Sequence, residues 1–261
     1  MFGAPGVVAV VSVLPVLGAG FVALQVWRTA HRPDLPSFTN QDISGTFGDP
    51  AAPPLRIVAV GDSSLTAPGV DDLDDVWLRR LARTYTDRHL VELISLGVGG
   101  SRARDVVEGQ LDAAVALRPD VAVVTVGGND AIRAQPVRRY AAALETIVGR
   151  LEEASGAALL VGVGDLGTIP RLPSSLRSYL SRRSRIFDQA CLRVAVSHPR
   201  TVKTQARRPT AQAFRTDLSL FAPDQFHASA AGHALFAETV APALAAAYRI
   251  ALHRGLDLPD G

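Results

Sequence analysis

The chain has a single cysteine among its 261 residues, which excludes an internal disulfide. Cys191 stands at helical spacing from Phe187 and Val194, so we expect a small buried side chain there. Histidine is also sparse, with six residues, and no cluster of cysteine and histidine has the spacing of metal ligands. The sequence therefore predicts neither a structural nor a catalytic zinc.

A large excess of charge of one sign is missing as well. The 27 basic and 25 acidic side chains leave a formal net charge of +2, which is too small to indicate a nucleic-acid-binding protein despite a pI near 9.0. Five of the arginines form two short runs, at 182–185 and 207–208. The simpler interpretation of both is a solvated surface, and contact with anionic lipid headgroups is the alternative.

Charged side chains are absent from residues 2–27, a run of 26 residues. As a helix this run is long enough to cross a hydrocarbon core of roughly 30 Å, so residues 1–30 are predicted to be a single membrane-spanning helix or an uncleaved signal anchor. A cleaved signal peptide is the alternative, but no basic residue precedes the run and no A-x-A site follows it. Arg28 and Arg32 come directly after the run, and the positive-inside rule weakly favours a cytoplasmic C-terminal side.

Residues 31–54 are rich in proline, glycine, serine, aspartate and asparagine and show no sustained hydrophobic period. This composition predicts a flexible linker. The remaining residues, 55–261, fit one domain of α/β size, without an internal repeat or a low-complexity tract.

Within that domain, apolar β-branched runs alternate with segments of helical period, a pattern that predicts a parallel sheet with helices on both faces. One helix is expected after Pro136, a second over 174–196 and a third after Ser229. About twenty irregular residues precede His227, a length typical of a functional loop. Five strands are predicted, at 57–60, 91–96, 121–126, 157–163 and 201–204.

The first of these strands ends at Gly61, and Ser63 follows at its carboxyl end. Open parallel α/β sheets bind their ligands at this edge. A serine there needs a base and oxyanion donors before it can act as a nucleophile. Three later segments supply residues of those types.

Four short blocks at strand ends and in one late loop follow one another along the chain. Together they resemble the SGNH (GDSL-like) hydrolase superfamily over residues 55–244, although each block alone is a weak motif. The resemblance implies a flavodoxin-like three-layer α/β/α sandwich with a five-stranded parallel sheet. The blocks are Gly61-Asp-Ser63, Gly99-Gly100, Gly127-Gly-Asn129 and Asp224-Gln-Phe-His227.

The resemblance assigns the nucleophile to Ser63 and the orienting acid and base to Asp224 and His227. The D-x-x-H spacing lets the carboxylate reach the imidazole Nδ1–H from the same loop, so that Nε2 can take the serine proton. The oxyanion would be bound by the backbone N–H groups of Ser63 and Gly100 and by the side-chain amide of Asn129. Gly97 and Gly99 remain alternatives to Gly100.

Two departures from the family pattern touch no catalytic role: Ser64 stands where leucine is usual, and Ser95 stands where many members have asparagine. Asp62 and Asp130 are interpreted as local turn-bracing residues. The other histidines, at 31, 89, 198, 233 and 253, are interpreted as structural or surface residues.

The sequence does not support two other common motifs of α/β proteins. Residues 162–167 match the dinucleotide-binding pattern G-x-G-x-x-G, but Pro170 and Pro173 follow where that motif needs a helix to bind the pyrophosphate. The G-x-S-x-G elbow of α/β-hydrolases is absent, so a serine hydrolase here needs another scaffold.

The sequence therefore predicts a membrane-tethered serine ester hydrolase that acts through an acyl-serine intermediate without a cofactor or metal. Its substrate would be a small-molecule, lipid or carbohydrate acyl ester. One alternative is an acyltransferase of the same superfamily, which would hand the acyl group to a sugar or lipid hydroxyl. The other is a non-enzymatic ligand-binding module on a flavodoxin-like fold. The acyl chain length, the alcohol portion and the oligomeric state are left open.

Overall fold

The computed structural model of the chain describes Leu24 and residues 40–256, the last three of them by backbone alone. The predicted membrane-spanning helix over 2–27 lies outside the described residues except for Leu24. Residues 40–256 belong to one folded domain.

A six-stranded sheet with the order β1-β3-β2-β4-β5-β6 forms the centre of the domain. Strands β2 to β6 are parallel, and β1 pairs with β3 in the antiparallel direction. All five predicted parallel strands are present, and the antiparallel edge strand was missed. The strands are β1 (Gly45–Phe47), β2 (Pro54–Gly61), β3 (Leu90–Ser95), β4 (Val121–Thr125), β5 (Ala157–Leu160) and β6 (Thr201–Lys203).

Eight α-helices connect and cover these strands in the described part of the chain. The predicted helix after Pro136 is present, and the one predicted over 174–196 is a short 3₁₀ turn followed by a long helix. The helices are α1 (Trp77–Arg83), α2 (Ala103–Gly109), α3 (Leu111–Ala116), α4 (Gly128–Ile132), α5 (Val137–Ala154), α6 (Arg177–Ser197), α7 (Arg207–Thr216) and α8 (Ala230–Leu256).

The side chains of β2 alternate between two separate apolar cores, one on each face of the sheet. Val58 and Val60 pack in the core beneath α2, α3, α5 and α6. Ile57 and Ala59 pack in the opposite core, with residues of α1 and α8. This alternation follows from the two-residue period of a strand, and it confirms the predicted three-layer α/β/α arrangement.

The predicted linker over 31–54 is wrong in its second half. Ile43 is fully buried, and Phe47 of β1 is buried beneath the guanidinium groups of Arg79 and Arg83, which lie 4.9 and 4.5 Å from the centre of its ring. The sheet therefore continues upstream of Leu55. Strand β1 has one large apolar side chain, Phe47, in a segment rich in proline, glycine and polar residues, which explains why the sequence pattern did not reveal it.

One described helix contains a stretch, Ala230–His253, that is long and apolar enough to cross a membrane by length and composition. This stretch belongs to α8. Its residues Val240, Leu244 and Ala247 are buried in the core beside α1 and β5. One face of this helix therefore packs in the core of the domain.

Candidate active site

Ser63 lies in the tight turn that follows β2. Gly61 approaches β4 so closely that a Cβ there would lie 2.0 Å from the Thr125 carbonyl oxygen, so only glycine fits. The turn is closed by hydrogen bonds from Leu65 N–H to the Asp62 carbonyl (3.0 Å) and from Thr66 N–H to the Ser63 carbonyl (3.2 Å). Ser63 therefore stands at the carboxyl end of a rigid central strand.

The neighbouring Ser64 is held by other elements. Its hydroxyl hydrogen-bonds the Thr125 hydroxyl at 2.8 Å, and its carbonyl accepts from the Trp77 indole N–H at 2.9 Å. The Ser63 hydroxyl, in contrast, has no hydrogen bond to another of the residues that the structure describes. Ser63 is thus the serine of this turn whose hydroxyl is left for a ligand.

Asp224 and His227 form a hydrogen-bonded pair within one loop. His227 Nδ1 and Asp224 Oδ2 are 2.6 Å apart, and Asp224 Oδ1 accepts from the backbone N–H groups of Phe226 (2.9 Å) and His227 (3.0 Å). Gln225 between them has a φ of +57°, and its carbonyl accepts from Arg171 N–H at 3.1 Å. The carboxylate therefore fixes both the loop and the imidazole ring.

The electrostatics of Asp224 favour its ionised form. Burial raises the pKa of this carboxyl, but the hydrogen bonds from the His227 side chain and from two backbone amides outweigh it, so the pKa lies below its ordinary value. A carboxylate held ionised beside Nδ1 favours the tautomer that carries the proton on that nitrogen.

Asn129 lies in the first turn of α4, beside the glycine-rich turn after β3. Its side-chain amide donates to the Ser101 carbonyl at 3.1 Å, which connects the third and second sequence blocks. One of its two amide hydrogens is used in this way, so the other can still donate. The preceding Gly127 packs against Tyr140, whose hydroxyl would lie 2.7 Å from a Cβ at position 127.

The three glycines that could supply an oxyanion donor differ in their local contacts. The Gly99 N–H donates to Asn40 Oδ1 at 3.1 Å, so it is already used. A Cβ at Gly97 would lie 2.6 Å from the Leu65 Cβ, which shows that Leu65 covers this glycine. Gly100 has a φ of +81°, and a Cβ built there would have only the Arg133 guanidinium within 4 Å, at 3.6 Å. Of the three, Gly100 suits a donor best.

A cavity of about 210 Å³ brings most of these residues together. Ser63, Asn129 and His227 all line it, and Asp224 lies behind His227. None of the three glycines belongs to its lining, but Ser101, which follows Gly100, accepts a hydrogen bond from Asn129, which does line the cavity. The remaining wall is mainly apolar and includes Ile132, Leu166, Ile169, Phe214, Phe221, Phe226 and Phe236.

His233, whose sequence context predicts only a structural or surface residue, also lines this cavity. It is buried, and its Nδ1 accepts from the Trp77 backbone N–H at 3.3 Å, which puts the ring proton on Nε2. Burial lowers the pKa of His233 to about 4, with nearby Arg80 and His227 contributing, so the ring is neutral. The contact between His233 and Trp77 joins residues 156 positions apart, so no local sequence pattern could predict it.

The two aspartates that were interpreted as turn-bracing residues do accept local backbone hydrogen bonds. Asp62 Oδ1 accepts from Ser64 N–H at 3.1 Å, and Asp130 Oδ2 accepts from Ala103 N–H at 3.0 Å. Burial raises the pKa of Asp62 to about 6, against the lowering effects of its hydrogen bonds to Ser64 and of His227. Asp62 also lines the cavity.

Residues 59–235 match the sequence model of the GDSL-like lipase/acylhydrolase family. A GDSL-like esterase from Mycobacterium tuberculosis is 30% identical over 217 residues, which cover 78% of this chain. The match spans 65% of the length of that relative.

Solved structures of other proteins share the fold. TesA superposes with a TM-score of 0.60 at 21% identity, over 72% of this chain and 97% of its own. A variant of Axe2, an acetyl xylan esterase from Geobacillus stearothermophilus, gives a TM-score of 0.61 at 15% identity, over 74% and 95% of the two chains. The fold and the family match together establish that the chain belongs to the GDSL-like lipase/acylhydrolase family, as the SGNH resemblance predicted.

Proposed function

We propose that the protein is a serine ester hydrolase in which Ser63 is the nucleophile, His227 the general base and Asp224 the residue that orients the base. The observation that carries this proposal is the 2.6 Å contact between His227 Nδ1 and Asp224 beside a cavity that Ser63 also lines. A serine, a histidine and a buried carboxylate around one cavity form the arrangement that activates a hydroxyl for acyl transfer.

In this proposal His227 Nε2 takes the proton of the Ser63 hydroxyl while Ser63 Oγ attacks the ester carbonyl carbon. Catalytic hydrogen bonds are often long or unformed before substrate binds, so a hydrogen bond between the Ser63 hydroxyl and His227 Nε2 is expected to form in the complex. The tetrahedral intermediate collapses when the C–O bond to the alcohol breaks, and the imidazolium gives its proton to the leaving alcohol. Water then attacks the acyl-serine, with His227 again acting as base, and releases the acid.

The negative oxygen of the tetrahedral intermediate needs donors that are already in position. We assign this role to the backbone N–H groups of Ser63 and Gly100 and to the second amide hydrogen of Asn129. The hydrogen bond from Asn129 to Ser101 supports the assignment, since it fixes the amide next to Gly100. Donors fixed in this way cost no reorganisation as charge develops.

We further propose that residues 2–27 attach the enzyme to a membrane as a single helix. The support is the charge-free run of 26 residues, followed by Arg28. The residues between this run and Asn40 would connect the helix to the domain.

The test is steady-state hydrolysis of p-nitrophenyl acetate and butyrate by the wild type and by Ser63→Ala. We expect Ser63→Ala to lose turnover while its thermal unfolding stays close to that of the wild type, because a small turn side chain contributes little to the core. Ser64→Ala is the matched control, since Ser64 shares the turn but its hydroxyl is bound to Thr125. Loss of activity in Ser64→Ala but not in Ser63→Ala would show that Ser64, and not Ser63, is the nucleophile.

Products should also be analysed with an acceptor alcohol present. Free acid as the main product identifies a hydrolase. Transfer of the acyl group to the alcohol in preference to water would instead identify an acyltransferase, since the two reactions differ only in what attacks the acyl-serine.

A further inference from the structure

A second cavity of about 180 Å³ adjoins the cavity that Ser63 lines. The two share part of their walls, including Asp62, Gly128, Gly164, Leu166, Thr210 and Phe236. The second cavity continues from this shared wall toward the carboxyl ends of β4 and β5 and the inner face of α8. Val126, Val161 and Val240 line it there.

The polar groups around the second cavity are paired with other protein groups. Asp188 Oδ1 lies 2.8 Å from Lys203 Nζ. The Arg207 guanidinium donates to the Val163 and Ser181 carbonyls at 3.3 and 3.1 Å and lies 3.9 Å from Asp165. A charged occupant would therefore compete with existing partners, whereas an apolar occupant would contact aliphatic and aromatic side chains.

We propose that the two cavities form one channel for the acyl chain of the substrate. The ester carbonyl would lie at Ser63 and the far end of the chain in the second cavity, so that esters of medium-chain fatty acids are preferred to acetyl esters. This inference rests on the proposed hydrolase function and adds the acyl class of the substrate. Each methylene that enters an apolar pocket should raise kcat/KM about four-fold until the channel is full.

Gly164 provides a way to narrow the channel without disturbing the fold. It lines both cavities, and a Cβ built at this position meets no heavy atom within 4 Å. A leucine side chain can therefore be added there and would occupy space at the shared wall. Ala206, at the start of α7, lines only the second cavity, so Ala206→Leu would fill the far end and leave the space around Ser63 unchanged.

The experiment measures kcat/KM of the full-length protein in mild detergent for p-nitrophenyl acetate, butyrate, octanoate and laurate. We expect the wild type to prefer a chain longer than butyrate. Gly164→Leu and Ala206→Leu should each lower the octanoate-to-acetate ratio of kcat/KM at least ten-fold, since several methylenes would be excluded. Gly109→Leu is the control, because Gly109 is also open to added atoms but lines neither cavity.

Each variant is compared with the wild type at each chain length, which cancels the partition of long esters into detergent. Equal losses at all chain lengths, or no change on octanoate in either variant whose thermal unfolding matches the wild type, would overturn the channel. Ser63-dependent hydrolysis with a preference for acetate would overturn it too, while the hydrolase proposal would stand. Failure to hydrolyse any ester would instead count against the hydrolase function itself.

Discussion

Asn129 donates one amide hydrogen to the Ser101 carbonyl, and its second amide hydrogen is the one proposed to reach the oxyanion. Because this charge exists only in the tetrahedral state, Asn129→Ala should lower kcat roughly a hundred- to a thousand-fold, or about 2.7–4 kcal/mol of barrier, with little effect on KM. Kinetics and thermal unfolding of the same variant test this. A normal kcat with a wild-type melting temperature would remove Asn129 from the site.

Asp62 and His233, both on the cavity wall, should make opposite contributions to the pH dependence of stability. Burial raises the pKa of Asp62 from 3.8 to about 6, so the folded state binds more protons and stability falls as the pH rises through this range. Burial lowers the pKa of His233 from 6.5 to about 4, so the unfolded state binds more protons and stability rises with pH. Each group changes the free energy of unfolding by about 3 kcal/mol between its two pKa values.

Two single variants separate these contributions. As the pH rises from 4 to 6, the free energy of unfolding of Asp62→Asn should increase by about 3 kcal/mol relative to that of the wild type, since the destabilising ionisation is gone. In His233→Asn the amide oxygen can still accept from the Trp77 N–H, and the free energy of unfolding should fall by a similar amount relative to the wild type as the pH rises from 4 to 6.5. Urea unfolding at several pH values measures both. Parallel curves for all three proteins would show that neither group titrates abnormally.

The residues of the site differ in how well sequence could predict them. Asp224 and His227 lie three positions apart, so their contact follows from local geometry, and the structure has it at 2.6 Å. The contact of His233 with Trp77 joins positions 156 apart and left no local pattern. The catalytic roles of the five site residues stay predictions: Ser63, Gly100, Asn129, Asp224 and His227.

At the scale of elements, long apolar runs were predicted well and short segments only in part. Strands β2, β4 and β5 are buried along most of their length, so each was a nearly continuous apolar run. Strand β1 has three residues, and α7 lies in the stretch that was expected to be irregular. That stretch was expected to be a functional loop, and Thr210 and Phe214 of α7 do line the cavity beside Ser63.

The edge strand β1 leads to a prediction about truncation. A fragment that begins at residue 40 should fold, whereas one that begins at Pro53 loses Ile43 and Phe47, two buried side chains worth about 1.5–3 kcal/mol each. It also exposes the edge of β3. We therefore expect the shorter fragment to unfold at a lower denaturant concentration or to aggregate. Equal midpoints for the two fragments would place β1 outside the cooperative unit.

At the scale of the whole molecule, the domain and the preceding charge-free run are expected to behave separately. The full-length protein should stay with the membrane after alkaline carbonate extraction, because residues 2–27 carry no charge that would draw them into water. The fragment that begins at residue 40 is the control and should be recovered in the soluble fraction with the same kcat/KM for a soluble ester. Release of the full-length protein by carbonate would argue for a cleaved signal peptide.

The central claim is that catalysis proceeds through a covalent intermediate on Ser63. Treatment with a serine-reactive phosphonate, followed by peptide mass spectrometry, tests it most directly, since the phosphonate mimics the tetrahedral state and remains on the nucleophile. We predict one adduct on Ser63, labelling at least a hundred-fold slower in His227→Ala, and none in Ser63→Ala. An adduct on Ser64 or on another serine, or no adduct on a fully folded protein, would contradict the account.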